Sequence, residues 1–346
     1  MEKYIEERNR KTFELLDRAK AELPPFASRF FLGLSQTTQP LTRLGYAYDL
    51  KVFFDFLSVE VEEFAGKKRV DWRVTDLDTV EVLHIELFVD WLSTRQNNER
   101  ARMRKLSCLR SFFAYYFKKG EIQKNIMPNI DLPKLYEKSI VRLDQGEVKK
   151  IIAEASDGEG LTPGQKRFHG KLSMRDTVIL TFFLSTGVRV SELVGLNVGD
   201  IDLKTASFKI TRKGGNESVL YMSDELSEVM AQYLCSDEAT PLPDRDSPLF
   251  VGIRGERLGV RAVQNLVKKY AGVASPLKKI SPHKLRSTYG TNLYRATGDI
   301  YVVADVLGHR DVNTTKKHYA ALSDDIRKQA AKKVSLFDNP SDSENA

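Results

Sequence analysis

The sequence predicts a mostly α-helical protein with one small antiparallel β-sheet, divided into two domains. Apolar residues recur at helical spacing through most of the chain, as is typical of amphipathic helices. Residues 206–222 depart from this spacing, because their side chains alternate in character around a Gly-Gly-Asn turn. The length of 346 residues suits two domains of about 150 residues each, and a polar, proline-containing stretch at 133–143 is typical of a linker.

Helical segments account for the whole of the first domain. Residues 1–24 are predicted as a charged N-terminal helix that ends at Pro24-Pro25. Residues 25–132 are predicted as a small helical bundle, in which Gly120 ends the last helix. Within this bundle, apolar residues recur at helical spacing in three segments: 42–57, 80–92 and 106–117.

The second domain is predicted over residues 144–337. Asp144 offers an N-cap with Glu147 three residues later, as in a capping box, and a strongly apolar helix follows at 174–184. The later part is predicted to contain a β-hairpin, five helices and a disordered acidic tail: strands 206–211 and 218–222, helices 224–234, 260–270, 283–294, 301–307 and 315–334, and the tail 338–346.

Composition narrows the class of protein. A net charge of +7 fits a nucleic-acid partner without proving one. The N-terminus carries no signal peptide, and no apolar run approaches the roughly 18 residues of a membrane helix, so a cytoplasmic, nucleoid-associated location is expected. The two cysteines, Cys108 and Cys235, are too few for a disulfide framework or a zinc site.

A basic stretch in the first domain is a candidate DNA-binding surface. Arg100, Arg104 and Lys105 are predicted to share one helix face, roughly opposite an apolar stripe. Such a face suits contacts to phosphates, although a merely solvated helix face is the alternative. The candidate DNA-binding residues are Arg95, Arg100, Arg102, Arg104, Lys105 and Arg110.

The second domain holds a constellation suited to breaking a phosphodiester: Arg189, His283, Arg286, His309 and Tyr319. Arginine is permanently charged and binds phosphate oxygens in a bidentate manner, so two arginines would stabilise a pentacoordinate phosphate. His283 and Arg286 lie one helical turn apart and therefore reach one pocket. Tyrosine, with a pKa near 10, needs a neighbouring base or a cationic pocket to act as a nucleophile.

Each of these residues alone has a simpler interpretation. Arg189 would be an ordinary surface arginine, and His283 with Arg286 would form a polar helix face. Tyr319 would be a core tyrosine packed against Leu322 and Ile326 at helical spacing. Only the ordered set favours the catalytic interpretation.

The ordered set resembles the tyrosine recombinase (integrase) family. Three segments carry the resemblance: residues 186–193 resemble its first arginine box, residues 283–286 its H-x-L-R box, and Leu307-Gly308-His309 with Thr314, Thr315 and Tyr319 its last box. The resemblance covers residues 144–335, and the helical first domain resembles the family's SAM-like core-binding domain. It therefore implies an α+β catalytic domain behind a helical DNA-binding domain.

The resemblance implies a mechanism and a role for each residue. Tyr319 would attack the scissile phosphate, form a 3′-phosphotyrosyl link and release a 5′-hydroxyl. Arg189 and Arg286 would bind the phosphate, His283 would act in proton transfer, and His309 would hydrogen-bond a phosphate oxygen. No cofactor is implied, because the phosphotyrosine conserves the bond energy and neither ATP nor a metal is required.

The family also places a lysine in a β-hairpin, where it protonates the leaving 5′-oxygen. Lys213 matches this position, while Arg212 and Lys209 are close enough to remain alternatives. Glu192 matches an acidic position whose role is structural support. His309 and Tyr319 are ten residues apart, one more than in some members, which leaves the position of the intervening loop open.

Partners and subclass follow from the same resemblance. The implied partner is double-stranded DNA with paired recombination sites, bound by a homodimer on each site and a homotetramer in the synapse. The C-terminal helix is expected either to dock on a neighbouring protomer or to pack in cis. Too few residues precede residue 25 for an arm-binding domain, so the layout is Xer-like or that of a simple mobile-element integrase. The alternatives are a catalytically silent DNA-binding protein of the same fold and a type IB topoisomerase-like relaxing enzyme.

Overall fold

The computed structural model describes residues 2–133, 141–212, 215–236, 244–309, 311–313 and 315. The chain divides into two compact units, Glu2–Lys138 and Ser139–Ala346. The described residues are mostly helical and contain a three-stranded antiparallel sheet, which confirms the predicted fold class. Most of the predicted linker and all of the predicted tail lie outside the described residues. None of the helices in this part of the chain is long and apolar enough to cross a membrane.

Five α-helices and four short 3-10 helices make up the described part of the N-terminal unit. The α-helices are α1 (Glu2–Ala21), α2 (Ala27–Gly33), α3 (Pro40–Glu60), α4 (Val82–Thr94) and α5 (Glu99–Lys118). The 3-10 helices are Glu62–Phe64, Arg69–Asp71, Val74–Thr79 and Met127–Asn129. The sequence prediction missed α2 and the 3-10 helices, because segments of three to seven residues are too short to show a helical period.

Aromatic side chains fill the core of this unit. Phe112 meets Phe30 edge to face with ring centroids 5.2 Å apart, and Phe53 meets Phe88 in the same way at 5.3 Å. Edge-to-face pairs align the positive edge of one ring with the negative face of the other, which adds to the hydrophobic stabilisation. Helix α1 packs on α3, and its Leu16 is buried in the same core.

The C-terminal unit contains eight α-helices and three strands in its described part. The helices are α6 (Gln145–Asp157), α7 (Pro163–His169), α8 (Ser173–Thr186), α9 (Val190–Leu193), α10 (Asp224–Leu234), α11 (Val260–Ala274), α12 (Pro282–Thr297) and α13 (Ile300–Leu307). The strands are β1 (Ile201–Asp202), β2 (Ser207–Thr211) and β3 (Glu217–Tyr221), and a 3-10 helix, Val198–Asp200, precedes β1.

Helix α8 is central to this unit, because α6, α10 and α12 all pack against it. The sheet has the order β1-β2-β3, and the predicted hairpin is present as β2 and β3 in antiparallel register. Phe208 and Ile210 of β2 are buried, and Phe208 meets Phe182 of α8 edge to face at 4.7 Å. The alternation of side chains along β2 thus places one face on α8 and the other in solvent.

A capping box starts α6 and connects it to the loop before α12. The Asp144 side chain accepts a hydrogen bond from the backbone N–H of Glu147 at 2.8 Å, and the Glu147 side chain accepts one from the backbone N–H of Asp144 at 2.9 Å. This confirms the predicted box. Glu147 also accepts from the Ser275 hydroxyl at 2.7 Å and from the Lys278 ammonium at 2.5 Å. One carboxylate therefore fixes the loop that leads into α12.

Glu147→Gln is expected to reduce the loss of stability in acid. Burial raises the pKa of Glu147, but hydrogen bonds from Lys278 and Ser275 outweigh that effect and lower the pKa from 4.5 to about 2. A depressed pKa means that the carboxylate stabilises the fold fully above pH 4.5 and that this stabilisation is lost as the pH falls towards 2. Urea unfolding should show that the loss of unfolding free energy between about pH 6 and pH 3 is about 1–3 kcal/mol smaller in the variant. An identical loss in both proteins would contradict this role of Glu147.

Candidate active site

The C-terminal end of α8 requires glycine. Gly187 caps the helix with φ of 62°, in the left-handed region that glycine adopts without strain. A Cβ at this position would collide with the ring of Tyr289 and with the Leu307 side chain. The close approach brings the backbone of residue 187 against α12 and α13, and the chain then turns into α9.

Arg189 is the N-cap residue of α9, and its side chain is fixed at both ends. Its Nη1 donates to Glu192 Oε1 at 2.7 Å, and its backbone N–H donates to Glu192 Oε2 at 2.7 Å. Its Nη2 donates to the Gly308 carbonyl at 2.9 Å. Glu192 is only 3% exposed, so this carboxylate holds Arg189 from within the core.

Arg286 of α12 joins the same two chain segments. Its Nη1 donates to the Gly187 carbonyl at 2.6 Å, and its Nη2 donates to the Leu307 carbonyl. The side chain is 5% exposed, so its charge is held in a nearly water-free position. His283 lies one turn earlier on the exposed side of the same helix.

His309 follows α13 directly, at a turn that Gly308 makes possible. Gly308 has φ of 61°, and the backbone N–H of His309 donates to the Ala304 carbonyl at 2.9 Å. The Nδ1 of His309 lies 2.7 Å from the hydroxyl of Thr315, a fully buried residue. This bond fixes the plane of the ring and leaves Nε2 as the nitrogen directed away from Thr315.

A third arginine, Arg212, binds the same turn, and its position was not predicted. It follows β2 and donates from Nη2 to the Val306 carbonyl at 2.8 Å. The pKa of Arg212 is lowered, mainly by burial. Glu192 opposes this shift and Arg189 adds to it, so the three charged side chains influence one another. The sequence pointed to Arg212 only as an alternative to its neighbour Lys213, since the bond to Val306 spans 94 residues and has no local signature.

Sequence comparison matches both units to one family. The Phage integrase family model matches residues 141–325, and the model for the Phage integrase N-terminal SAM-like domain matches residues 27–120. A tyrosine recombinase XerC from Caldanaerobacter subterraneus subsp. tengcongensis is 32% identical over 325 residues, which cover 90% of this chain and 87% of the relative. A XerC from Thermodesulfovibrio yellowstonii is 31% identical over 279 residues, which cover 80% and 84%.

The chain belongs to the phage integrase family of tyrosine recombinases. As the sequence predicted, it is an enzyme of the site-specific DNA recombinase class. Arg189, Arg286 and His309 all lie within the segment that the family model matches. The pocket that gathers them is therefore the candidate active site of this recombinase.

Solved structures of recombinases share the fold. The XerH site-specific recombinase bound to palindromic difH substrate aligns with a TM-score of 0.63 and 20% identity, covering 85% of this chain and 80% of that chain. A lambda integrase dimer bound to a COC′ core site aligns with a TM-score of 0.59 and 16% identity, covering 87% and 96%.

Two predicted catalytic residues of the recombinase, Lys213 and Tyr319, lie outside the described residues, as does the C-terminal helix predicted to dock on a neighbour. The loop implied by the ten-residue spacing from His309 to Tyr319 also falls largely outside them. The structure does bring Arg189, Arg286 and His309 to one turn, with His283 on the same helix as Arg286.

The predicted basic face of α5 in the recombinase is wrong for Lys105. This lysine is 9% exposed, and its Nζ lies 3.3 Å from Asn97 Oδ1 and 3.9 Å from Asp49 Oδ1. Arg104 forms an ion pair with the same Asp49, whose side chain is 2% exposed. Spacing alone placed Lys105 on a solvated face with the exposed Arg104, because the buried carboxylate that attracts Lys105 lies on another helix.

The other four basic residues differ in how strongly they are held. Arg110 donates to the Ile130 carbonyl at 2.9 Å, and Arg102 donates to the Ser93 hydroxyl. Arg95 lies over the ring of Trp91 at 4.1 Å, a cation–π contact that leaves the side chain largely exposed. Arg100 is exposed on the first turn of α5. Arg95 and Arg104 are about half exposed and pair with Glu60 and Asp49, so Arg100 is the base best placed to meet a polyanion.

Proposed function

We propose that this recombinase cuts and rejoins DNA strands through a 3′-phosphotyrosyl intermediate. The Tyr319 oxygen attacks the scissile phosphorus, the bond from phosphorus to the 5′-oxygen breaks, and Lys213 gives that oxygen a proton. A 5′-hydroxyl from a partner strand then attacks the phosphotyrosine and reverses the step. The observation that carries the proposal is the pair of arginines held at one turn, in a chain of this family.

Electrostatic preorganisation supports the roles of Arg189 and Arg286. Both guanidinium groups are anchored to backbone carbonyls, so their charges need not move when negative charge develops on the phosphate. Glu192 offsets part of the charge of Arg189, whereas the contacts of Arg286 with Gly187 and Leu307 are to neutral groups.

The histidines have distinct roles in this scheme. The bond from Thr315 to His309 Nδ1 orients the ring, so that Nε2 donates to a non-bridging phosphate oxygen. His283, on the exposed side of α12, acts in proton transfer to and from the tyrosine. The two residues thus handle phosphate charge and proton movement separately.

Double-stranded DNA with paired recombination sites is the expected substrate. The XerH and lambda integrase structures that share the fold contain DNA, and the second contains a dimer on its core site. By analogy, a homodimer binds each site, a homotetramer forms the synapse, and the C-terminal helix exchanges between protomers. The enzyme works in the cytoplasm at the nucleoid, either in Xer-type resolution, as the XerC relatives suggest, or in integration and excision of a mobile element.

A nicked suicide substrate tests the mechanism. Cleavage near the nick releases a short strand by diffusion, so a covalent protein–DNA adduct should accumulate and survive SDS. Nuclease digestion and mapping should then locate a 3′-phosphate on Tyr319. A gel shift without an adduct would favour a catalytically silent DNA-binding protein. Relaxation of supercoiled DNA by a monomer, without paired sites, would favour a topoisomerase-like enzyme.

Arg100→Ala is expected to weaken DNA binding without changing stability. Arg100 is exposed, and loss of one phosphate contact should reduce the slope of log affinity against log salt by about 0.9 on any sequence. Arg104→Ala is the comparison, because it removes the closer of the two cations that pair with the buried carboxylate of Asp49 and should lower the melting temperature. Salt titrations by fluorescence anisotropy measure the effect of each variant on DNA binding, and thermal melts measure its effect on stability. An unchanged slope for Arg100→Ala would place the DNA-binding surface elsewhere.

A further inference from the structure

Three consecutive carbonyls at the end of α13 each accept a hydrogen bond from a different arginine. Val306 accepts from Arg212, Leu307 from Arg286, and Gly308 from Arg189. The last carbonyls of a helix have no partner within the helix and carry the negative end of its dipole. The end of α13 therefore gathers three positive charges that come from three separate elements.

Arg212 is the member of this set that comes from the hairpin. Its backbone N–H donates to the Asn216 carbonyl at 2.7 Å, and its carbonyl accepts from the Gly215 N–H at 3.1 Å. These two bonds close the turn between β2 and β3. The side chain of the same residue binds Val306, so one residue joins the hairpin turn to the end of α13.

The Arg212 guanidinium also packs closely on Gly308. A Cβ at Gly308 would collide with the guanidinium, so the absence of a side chain there makes room for the arginine. The Nη1 of Arg212 is buried and has no hydrogen-bond partner among the residues that the structure describes. Leaving a buried guanidinium nitrogen without a hydrogen bond is unfavourable in itself, which indicates a role other than general stability.

We propose that Arg212 is a positioning residue, which locks the hairpin turn against Gly308 and so holds the following residue, Lys213, in register with the phosphate-binding arginines. The inference rests on the proposed function, because it takes Lys213 as the acid that protonates the leaving 5′-oxygen. Arg212 is bound to the same turn as Arg189 and Arg286, and Lys213 follows it directly in the chain. The proton donor and the phosphate-binding arginines are thereby positioned by the same turn.

A leaving group that needs no proton distinguishes this role from phosphate binding. When sulfur replaces the bridging 5′-oxygen, the leaving thiolate is far more stable than an alkoxide and departs without an acid. Single-turnover cleavage should be measured for wild type and Arg212→Gln on matched oxygen and sulfur suicide substrates. The ratio of the two rates within one variant is independent of the fraction of folded enzyme.

Arg212→Gln is expected to cleave the oxygen substrate about 10²-fold more slowly than wild type and the sulfur substrate at nearly the wild-type rate. Lys213→Ala should show the same pattern more strongly. Arg257→Gln is the matched control, because Arg257 also donates to backbone carbonyls, those of Val194 and Leu196, and it should leave the ratio unchanged. If Arg212→Gln does not fold, the same ratio of oxygen to sulfur cleavage rates is measured for Arg212→Lys.

Equal slowing of Arg212→Gln on both substrates, or wild-type rates on both, would overturn the positioning role. Failure of the proposed function has a different signature. Wild type would then form no adduct on either substrate, or Lys213→Ala would be equally slow on both. The role of Arg212 is therefore tested only where wild type cleaves and the sulfur substrate rescues Lys213→Ala.

Discussion

Tyr319→Phe is expected to form no covalent adduct on a suicide substrate while binding DNA as tightly as wild type. Phenylalanine keeps the ring and its packing but removes the oxygen that attacks phosphorus, so no other step of the proposed reaction can begin. SDS gels of end-labelled substrate measure the adduct, and gel shifts of the same substrate measure binding.

A second tyrosine serves as the control for this experiment. Tyr301 is exposed at the start of α13, and Tyr301→Phe should retain adduct formation. An adduct formed by Tyr319→Phe at the wild-type level would show that another residue is the nucleophile. Loss of both adduct and DNA binding would indicate a folding defect, which a thermal melt would reveal.

Arg286→Gln is expected to slow single-turnover cleavage by about 10³-fold or more, because it removes a preorganised charge from the transition state. The wild-type side chain bridges the Gly187 and Leu307 carbonyls from a nearly buried position. Lysine would keep the charge but lacks the planar fork that spans two carbonyls, so Arg286→Lys should remain strongly impaired. Quench-flow or manual sampling of the adduct measures the rate.

Arg295 provides the comparison for Arg286 on the same helix. It is exposed in the last turn of α12, and Arg295→Gln should cleave at close to the wild-type rate. The effect of Arg286→Gln should appear in the rate of cleavage at saturating enzyme rather than in affinity alone. Near-normal cleavage by Arg286→Lys would mean that charge, and not the bridging geometry, is what the site requires.

The fold was largely predictable from the sequence, because most of its elements have a local sequence signature. Helix α1 and the hairpin of β2 and β3 follow from local spacing, and the capping box at Asp144 and Glu147 follows from a local sequence pattern. Helix α2, with seven residues, escaped prediction because one or two turns do not establish a period. Its place depends on Phe30 and Phe31 entering a core assembled from distant helices.

The sequence by itself determined the fold class and the membership of Arg189, Arg286 and His309 in one candidate pocket, because each residue lies within a short, ordered motif. Only the tertiary structure decided that Lys105 is buried beside Asp49 and that Arg212 shares the end of α13 with the other two arginines. The physical reason is that motifs record local chain geometry, whereas a buried ion pair or a bond to a helix end depends on residues 55 to 94 positions away.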